Sequence, residues 1–372
     1  VKVAKYIEFN GKRIIRRVLK QFFNPVPVNR DDVDRKEIKS ILVIRQDSRL
    51  GNLVLLSPFL DAVKSSFPTS KVDILISEGF EEVLTGNSNI DRVLVFEKNK
   101  LRFMPWLYLL FIRNLRMQQY DLAVDVSDGH NFSLNNIMLA ALSGARYTLG
   151  YDRGDACSFL NLCVPPPPKN TYMPDALVGL VRSLDPHIGS FSLSYYVSDT
   201  DRQFADEWLK RHDIREMDSF FVIHPGGKGN KKWGADNFAA LLDRIIAEIG
   251  VRIVVIGGSH DRQTIQEMVQ TSQSEFEILD NVTIGQMAAV IEHCDMFISG
   301  DTGPMHISAA LKRPTIGIFI SSNFHVYGPR GKNGRIVISR KQDETRDDVM
   351  VAIRDLLRIS GEADGGVFTE TS

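Results

Sequence analysis

The chain has 372 residues, enough for two or three domains at roughly 150 residues each. With 43% hydrophobic and 24% charged residues it has the balance of a globular protein, which excludes a largely disordered chain, a collagen-like repeat and a polytopic membrane protein. Its 45 Lys and Arg nearly cancel 46 Asp and Glu, so a nucleic-acid binder working by broad phosphate neutralisation is not indicated.

Residues 1–39 read as a basic extension and linker. Between Val1 and Phe23 seven residues are basic (Lys2, Lys5, Lys12, Arg13, Arg16, Arg17, Lys20) against one acid, Glu8, while Ile14, Ile15, Val18, Leu19 and Phe22 fall on one helical stripe. That pattern fits a helix lying in the interface of an anionic membrane, and it also fits a helix packed on the protein with its arginines solvated. No apolar run reaches the roughly 18 residues of a spanning helix. The N-terminus lacks the apolar core and cleavage site of a signal peptide, so the expected location is the cytoplasm.

From residue 40 the pattern changes to α/β alternation. Strands are expected at 40–45, 71–76, 92–96 and 120–125, with helices at 53–67, 101–117 and 134–143. The 101–117 helix is apolar and aromatic with flanking arginines, which suits either a second membrane contact or the core. A four-proline run at 165–168 and a helix at 175–184 close a first domain, taken as 40–195. A second domain, 196–342, restarts with a helix at 201–212 and strands at 219–224, 251–256, 296–299 and 315–319. Helices lie at 235–250, 261–271 and 284–293 and near Gly303; a helix at 346–359 and a polar tail make up 343–372. This alternation predicts two doubly wound, Rossmann-like units in tandem, with ligands at the carboxyl ends of parallel strands and between the units. The three cysteines, Cys157, Cys163 and Cys294, fit no zinc spacing and are expected to be buried free thiols.

Three clusters fall just past strands. In Asp301-Thr-Gly-Pro-Met-His306, Asp301 or Thr302 suits a helix cap, Gly303 admits close backbone approach and Pro304 suits the first turn. The helix dipole and free N–H groups there favour a phosphate, with His306 one turn in; an ordinary capped helix is the plainer alternative. In His224-Pro-Gly-Gly-Lys-Gly-Asn-Lys-Lys-Trp233, glycines expose backbone donors beside Lys228, Lys231 and Lys232, which would neutralise a diphosphate without a metal. The loop lacks P-loop spacing. The third, Arg45-Gln-Asp-Ser-Arg-Leu-Gly-Asn52, has a single glycine and is no dinucleotide fingerprint; Asp47 fits a turn or a cleft carboxylate.

The ordered set resembles glycosyltransferase family 9, the lipopolysaccharide heptosyltransferases. The resemblance runs from about Ser40 to Pro329 through Ile41-Leu-Val-Ile-Arg45, Leu50-Gly51, Ser57-Pro58-Phe59, Tyr120-Asp121, His224-Pro-Gly226, Lys232-Trp233, Gly300-Asp-Thr-Gly-Pro-Met-His306 and Tyr327-Gly-Pro329. It implies the GT-B fold, two Rossmann-like domains facing each other across a cleft. It also implies metal-independent, inverting transfer of a heptose from an ADP-sugar co-substrate to a lipopolysaccharide-core or similar lipid-linked glycan, with no cofactor. Asp301, Thr302, Gly303, Pro304 and His306 then match positions holding the nucleotide-sugar, and Gly226, Gly227, Lys231 and Lys232 the loop meeting its phosphates and sugar. Ser259 falls where the family contacts the nucleoside. The family's Leu-Gly-Asp, whose aspartate resembles a general base, is Leu50-Gly51-Asn52 here. An amide cannot take a proton at neutral pH, so Asn52 is left to orient the acceptor, and Asp47, Asp125 or Asp128 is left to supply a carboxylate. The alternative is a non-catalytic nucleotide-sugar or glycan-binding relative. A membrane-embedded acceptor favours residues 1–23 as an anchor at the inner face of the cytoplasmic membrane.

Overall fold

The computed structural model describes residues 20, 21, 23–46, 49–98, 100, 104–215, 217–227, 229–339 and 342–363, without the side chains of 105, 230, 342, 343 and 360–363. Most of the basic extension 1–23, Asp47 and Lys228 thus lie outside the described residues. The chain divides into two units, one taking residues 1–48 and 56–191, the other 49–55 and 192–372.

The first unit is built on six parallel strands, β1 (Ser40–Arg45), β2 (Lys71–Ser77), β3 (Arg92–Phe96), β4 (Leu122–Asp125), β5 (Tyr147–Tyr151) and β6 (Leu162–Val164), in the order β3-β2-β1-β4-β5-β6. β1, β4 and β5 are buried almost throughout, as continuous apolar runs between two helical layers should be. Helix Pro105–Met117 turns Ile112 and Leu115 into the cluster formed by Leu42, Ile44, Leu75, Ala123 and, from helix Leu134–Leu142, Ile137, Leu139 and Ala140. Helices Ser57–Ser66 and Met173–Arg182 pack on each other.

The second unit repeats the plan with β7 (Phe220–His224), β8 (Arg252–Gly257), β9 (Glu277–Asp280), β10 (Met296–Gly300), β11 (Thr315–Phe319) and β12 (Gly334–Ile338), ordered β12-β11-β10-β7-β8-β9, again all parallel. Renumbered from its own first strand this is the doubly wound order 3-2-1-4-5-6, so each sheet has a switch point between its first and fourth strands. Phe238, Leu242, Ile245 and Met268, with Val349, Ile353 and Leu356 of the helix Gln342–Ala363, fill the core against Ile223, Val255, Ile298 and Ile318.

Several expectations change. The segment read as one helix over 53–67 is two, Leu50–Val54 and Ser57–Ser66, and the first of them groups with the second unit. Strands β5, β6, β9 and β12 were not expected. Cys157 and Cys163 are not free thiols but a disulfide, because the turn Ala156–Ser158 and β6 bring their Cα atoms to 5.8 Å. Cys294 is free and buried, and burial pushes its thiol up to about 12. Among the described residues no helix is long and apolar enough to cross a membrane.

Candidate functional site

The switch point of the second unit lies between the carboxyl ends of β7 and β10, which end at His224 and Gly300. Both motif clusters therefore leave adjacent strands of the same unit. Asp301 and Thr302 lead directly into helix Gly303–Ala310. Thr302 is its N-cap in extended conformation but gives no side-chain cap hydrogen bond, and Pro304 sits in the first turn. The first N–H groups of this helix thus lack the side-chain acceptor that usually closes a helix start, and the helix dipole adds partial positive charge there.

The loop after β7 supplies the cation. The turn Gly229–Lys231 places Lys231 Nζ 2.5 Å from Asp301 Oδ2, the ammonium partly exposed and the carboxylate nearly buried. Lys232 is exposed beside it, and a Cβ on Gly227 would come within 3.1 Å of the Lys231 carbonyl, so the loop closes tightly on itself. Gly226 has no room for a side chain at all. A Cβ there would lie 2.2 Å from His224 Cε1 and 2.8 Å from Asp261 Oδ1.

His224 and Asp261 are partners that sequence reasoning missed. The Gly226 N–H donates to His224 Nδ1 at 3.2 Å, and Thr302 Oγ1 lies 3.3 Å from the same nitrogen. An Nδ1 that accepts leaves the ring proton on Nε2, which faces Asp261 Oδ2 at 3.6 Å. Burial pulls the Asp261 carboxyl upward, but the His224 ring, the Gly258 N–H at 3.0 Å and His260 outweigh it and hold the carboxyl below its usual range. The buried imidazole thereby ties together the glycine loop, the cap of helix Gly303–Ala310 and the end of β8. Its position as the last residue of a strand was the available signal. Ser259, beside Asp261, lines a pocket of about 500 Å³ with Gly258, Arg262 and Asp280.

The helix Leu50–Val54 packs on Gly303–Ala310 through reciprocal glycine contacts. A Cβ on Gly51 would meet His306 Cδ2 at 2.4 Å, and one on Gly303 would meet Leu50 Cδ2 at 2.2 Å. The Leu-Gly and Gly-Pro-Met-His motifs are thus two halves of one interface, and Asn52, nearly buried, belongs to the same unit as Lys231. His306 is buried in that interface. Burial drives its pKa down to about 4, Asp301 opposing and Lys231 assisting, so the ring is neutral at pH 7 and adds no charge.

The remaining carboxylate candidates are committed elsewhere. Asp125, at the end of β4 in the first unit, is fully buried; it pairs with Arg153 at 2.5 Å and accepts the Ser127 N–H at 3.0 Å and its hydroxyl. Asp128 accepts from the His130 N–H and the Asn131 side chain, both at 2.8 Å. Burial raises its carboxyl, but these donors more than offset that and leave it below the usual range. Asp125 is thus held in a buried ion pair, and the lowered Asp128 carboxyl is a weak base. Among the described residues no three His, Cys, Asp or Glu side chains gather as a metal-ligand group.

This arrangement can meet an anion with one ammonium and a helix start beside the tight Gly226-Gly227 turn. The model of glycosyltransferase family 9 (heptosyltransferase) matches residues 108–353. Lipopolysaccharide heptosyltransferase 3 of Escherichia coli is 25% identical over 302 residues, covering 76% of this chain and 84% of that protein. The structure of a family 9 glycosyl transferase from Veillonella parvula DSM 2008 is similar with a TM-score of 0.76 at 20% identity, covering 88% of this chain and 98% of that one. E. coli heptosyltransferase WaaC with ADP is similar with a TM-score of 0.65 at 19% identity, covering 85% and 99%. Two all-parallel six-stranded sheets of doubly wound order agree with the GT-B structures of those proteins. The chain belongs to glycosyltransferase family 9 and is a heptosyltransferase-like glycosyltransferase.

Proposed function

We propose that the chain transfers a heptose from ADP-heptose to a hydroxyl of a lipopolysaccharide core or similar lipid-linked glycan, with inversion at the anomeric carbon and without a metal ion. The observation that carries this reading is Lys231 paired with Asp301 at 2.5 Å beside the uncapped start of helix Gly303–Ala310. The relative solved with ADP, and the lipopolysaccharide heptosyltransferase that shares 25% of its sequence with this chain, support the donor and acceptor classes.

In this reaction the acceptor oxygen bonds to the anomeric carbon from the face opposite the diphosphate, the carbon–oxygen bond to ADP breaks, and the electron pair leaves with the diphosphate. Charge on the leaving phosphate rises as that bond breaks. Donors fixed in place before the reaction stabilise it without reorganisation; here these are the N–H groups of Thr302 and Gly303, the amide of Gly227, and Lys231, with Lys232 nearby. Asp301 holds Lys231 in position, Thr302 joins the cap to His224, and Ser259 contacts the nucleoside from its pocket. The carboxamide of Asn52 accepts a hydrogen bond from the acceptor hydroxyl and orients it. Its proton goes to Asp47 in this proposal, since Asp125 is held in a buried ion pair and Asp128 is a weak base.

A transfer assay with ADP-heptose and a delipidated core acceptor tests this reading. The native chain should turn over, and Asp47→Asn should lower kcat by a factor on the order of 10²–10⁴ with ADP affinity unchanged. A native chain that binds ADP but transfers nothing, and gains transfer on Asn52→Asp, would support the binding-only alternative instead.

A further inference from the structure

We propose that the outward face of helix Pro105–Met117 docks on an anionic lipid bilayer. The helix is held to the first unit by its inner stripe: Ile112 and Leu115 are buried, and Tyr108 and Phe111 set their rings edge-on to Phe96 at 6.1 and 5.4 Å. Its other side spends large apolar groups on solvent. Trp106 is 58% exposed, Leu109 71% and Met117 66%, with Leu110 half exposed between them. The spacing of 106, 109, 110, 113 and 117 puts these residues and Arg113 on one side of the helix.

Charge selects the occupant. Sequence 105–117 contains Arg113 and Arg116, both exposed, and no acidic residue. Leu109, Arg113, Arg116 and Met117 line a shallow concavity of about 610 Å³, so its walls are apolar and cationic together. An apolar stripe with a tryptophan and flanking arginines is the composition that settles in the headgroup region of an anionic bilayer. The chain just after the strongly basic N-terminal sequence meets this same cluster: Phe23 contacts Phe159 with tilted rings, centroids 5.4 Å apart, against the core that holds Ile112 and Leu115, and Lys20 Nζ pairs with Asp155 at 2.7 Å. The basic excess of segment 1–23 in the sequence disfavours it as the cover for a helix that carries two arginines and no acid. A second copy would set Arg113 and Arg116 against their own kind. A surface of phosphodiester headgroups satisfies both segments.

The lipid-linked acceptor in the proposed function supplies the reason for such a surface, and the proposal rests on that reading only for this; vesicle binding needs neither donor nor acceptor. Its failure would therefore leave the transferase reading intact, and a failed transfer assay would leave vesicle binding to be judged by itself.

The test uses the full chain with phosphatidylcholine vesicles containing or lacking phosphatidylglycerol, some carrying bromine on their acyl chains. Trp208 and Trp233 are each only 7% exposed, so lipid-dependent emission reports Trp106, and Trp106→Phe identifies its share. Anionic vesicles should shift the Trp106 emission to the blue, and the brominated lipids should quench it. Salt should weaken both effects, and Leu109→Glu should lower partitioning about tenfold or more while leaving the far-ultraviolet dichroism unchanged. Vesicle binding with no quenching of Trp106 would overturn the proposal, because another segment would then be docking. So would the absence of binding, or self-association without lipid that Leu109→Glu abolishes.

Discussion

His306 reads as a candidate anion ligand, yet its environment makes it a packing residue with an electrostatic cost. In the unfolded chain its pKa is about 6.5; in the fold burial lowers it to about 4. Between those values the unfolded chain holds a proton that the folded chain does not, so the contribution of this residue is complete above pH 6.5 and is lost as pH falls toward 4. Going from pH 7 to pH 5 should cost the native chain about 2 kcal/mol through this group. Urea denaturation at the two pH values should show that loss diminished by about the same amount in His306→Gln; equal pH sensitivity in both would contradict the assignment. The charge proposed to meet an anion is instead that of Lys231. Lys231→Ala leaves the Asp301 carboxylate facing the ligand, and calorimetry should show ADP affinity lower by about tenfold or more. The denaturation midpoint should hardly move, since an ion pair with a partly exposed member contributes about 0–1 kcal/mol to stability. Unchanged ADP affinity would remove Lys231 from the site.

At the scale of elements, the short helix Leu50–Val54 has too few residues to be stable alone and depends on the helix it packs against. Gly303→Ala would drive a methyl group into Leu50, whose Cβ as well as Cδ2 lies within 3 Å of the added atom. Overpacking of this kind costs about 1–3 kcal/mol, so Gly303→Ala should lower stability by that amount and lower turnover with it, because Asn52 rides on the displaced helix. Native stability with native turnover in this variant would dissolve the link between the two motifs. That interface was half legible: both motifs stand out in the sequence, but nothing in it says that Leu50 rests on Gly303. The long apolar strands were legible because burial on both faces writes a continuous run such as Ile41-Leu-Val-Ile44. Tyr147–Tyr151, with Thr and Gly inside it, and the edge strand Glu277–Asp280, bounded by carboxylates, carry no such run and take their form from neighbouring strands. Leu55 and Leu56 continue the apolar pattern across a helix break, which is why two helices read as one. The His224–Asp261 pair was invisible for another reason: only the parallel pairing of β7 with β8 brings the loops beyond them together.

Over the whole molecule, one chain carries the same doubly wound strand order twice, but the two switch points differ in chemistry. In the first unit the ends of β1 and β4 are closed by buried side chains: Arg45 donates to the Val126 carbonyl, Arg153 pairs with Asp125, and Asn136 donates to Ser127 Oγ at 2.6 Å. In the second unit the equivalent place holds glycines, a partly exposed ammonium and a helix start without a side-chain cap. A helix start without a side-chain cap, beside a partly exposed ammonium, is suited to a phosphate group. Family membership and this asymmetry support the central proposal, a donor site on the second unit. A crystal structure with ADP tests it most directly: the diphosphate should accept hydrogen bonds from the N–H groups of Thr302 and Gly303 and from Lys231, with the nucleoside toward Ser259. A diphosphate bound by the Arg45, Asp125 and Arg153 cluster of the first unit, or anywhere away from the ends of β7 and β10, would contradict it.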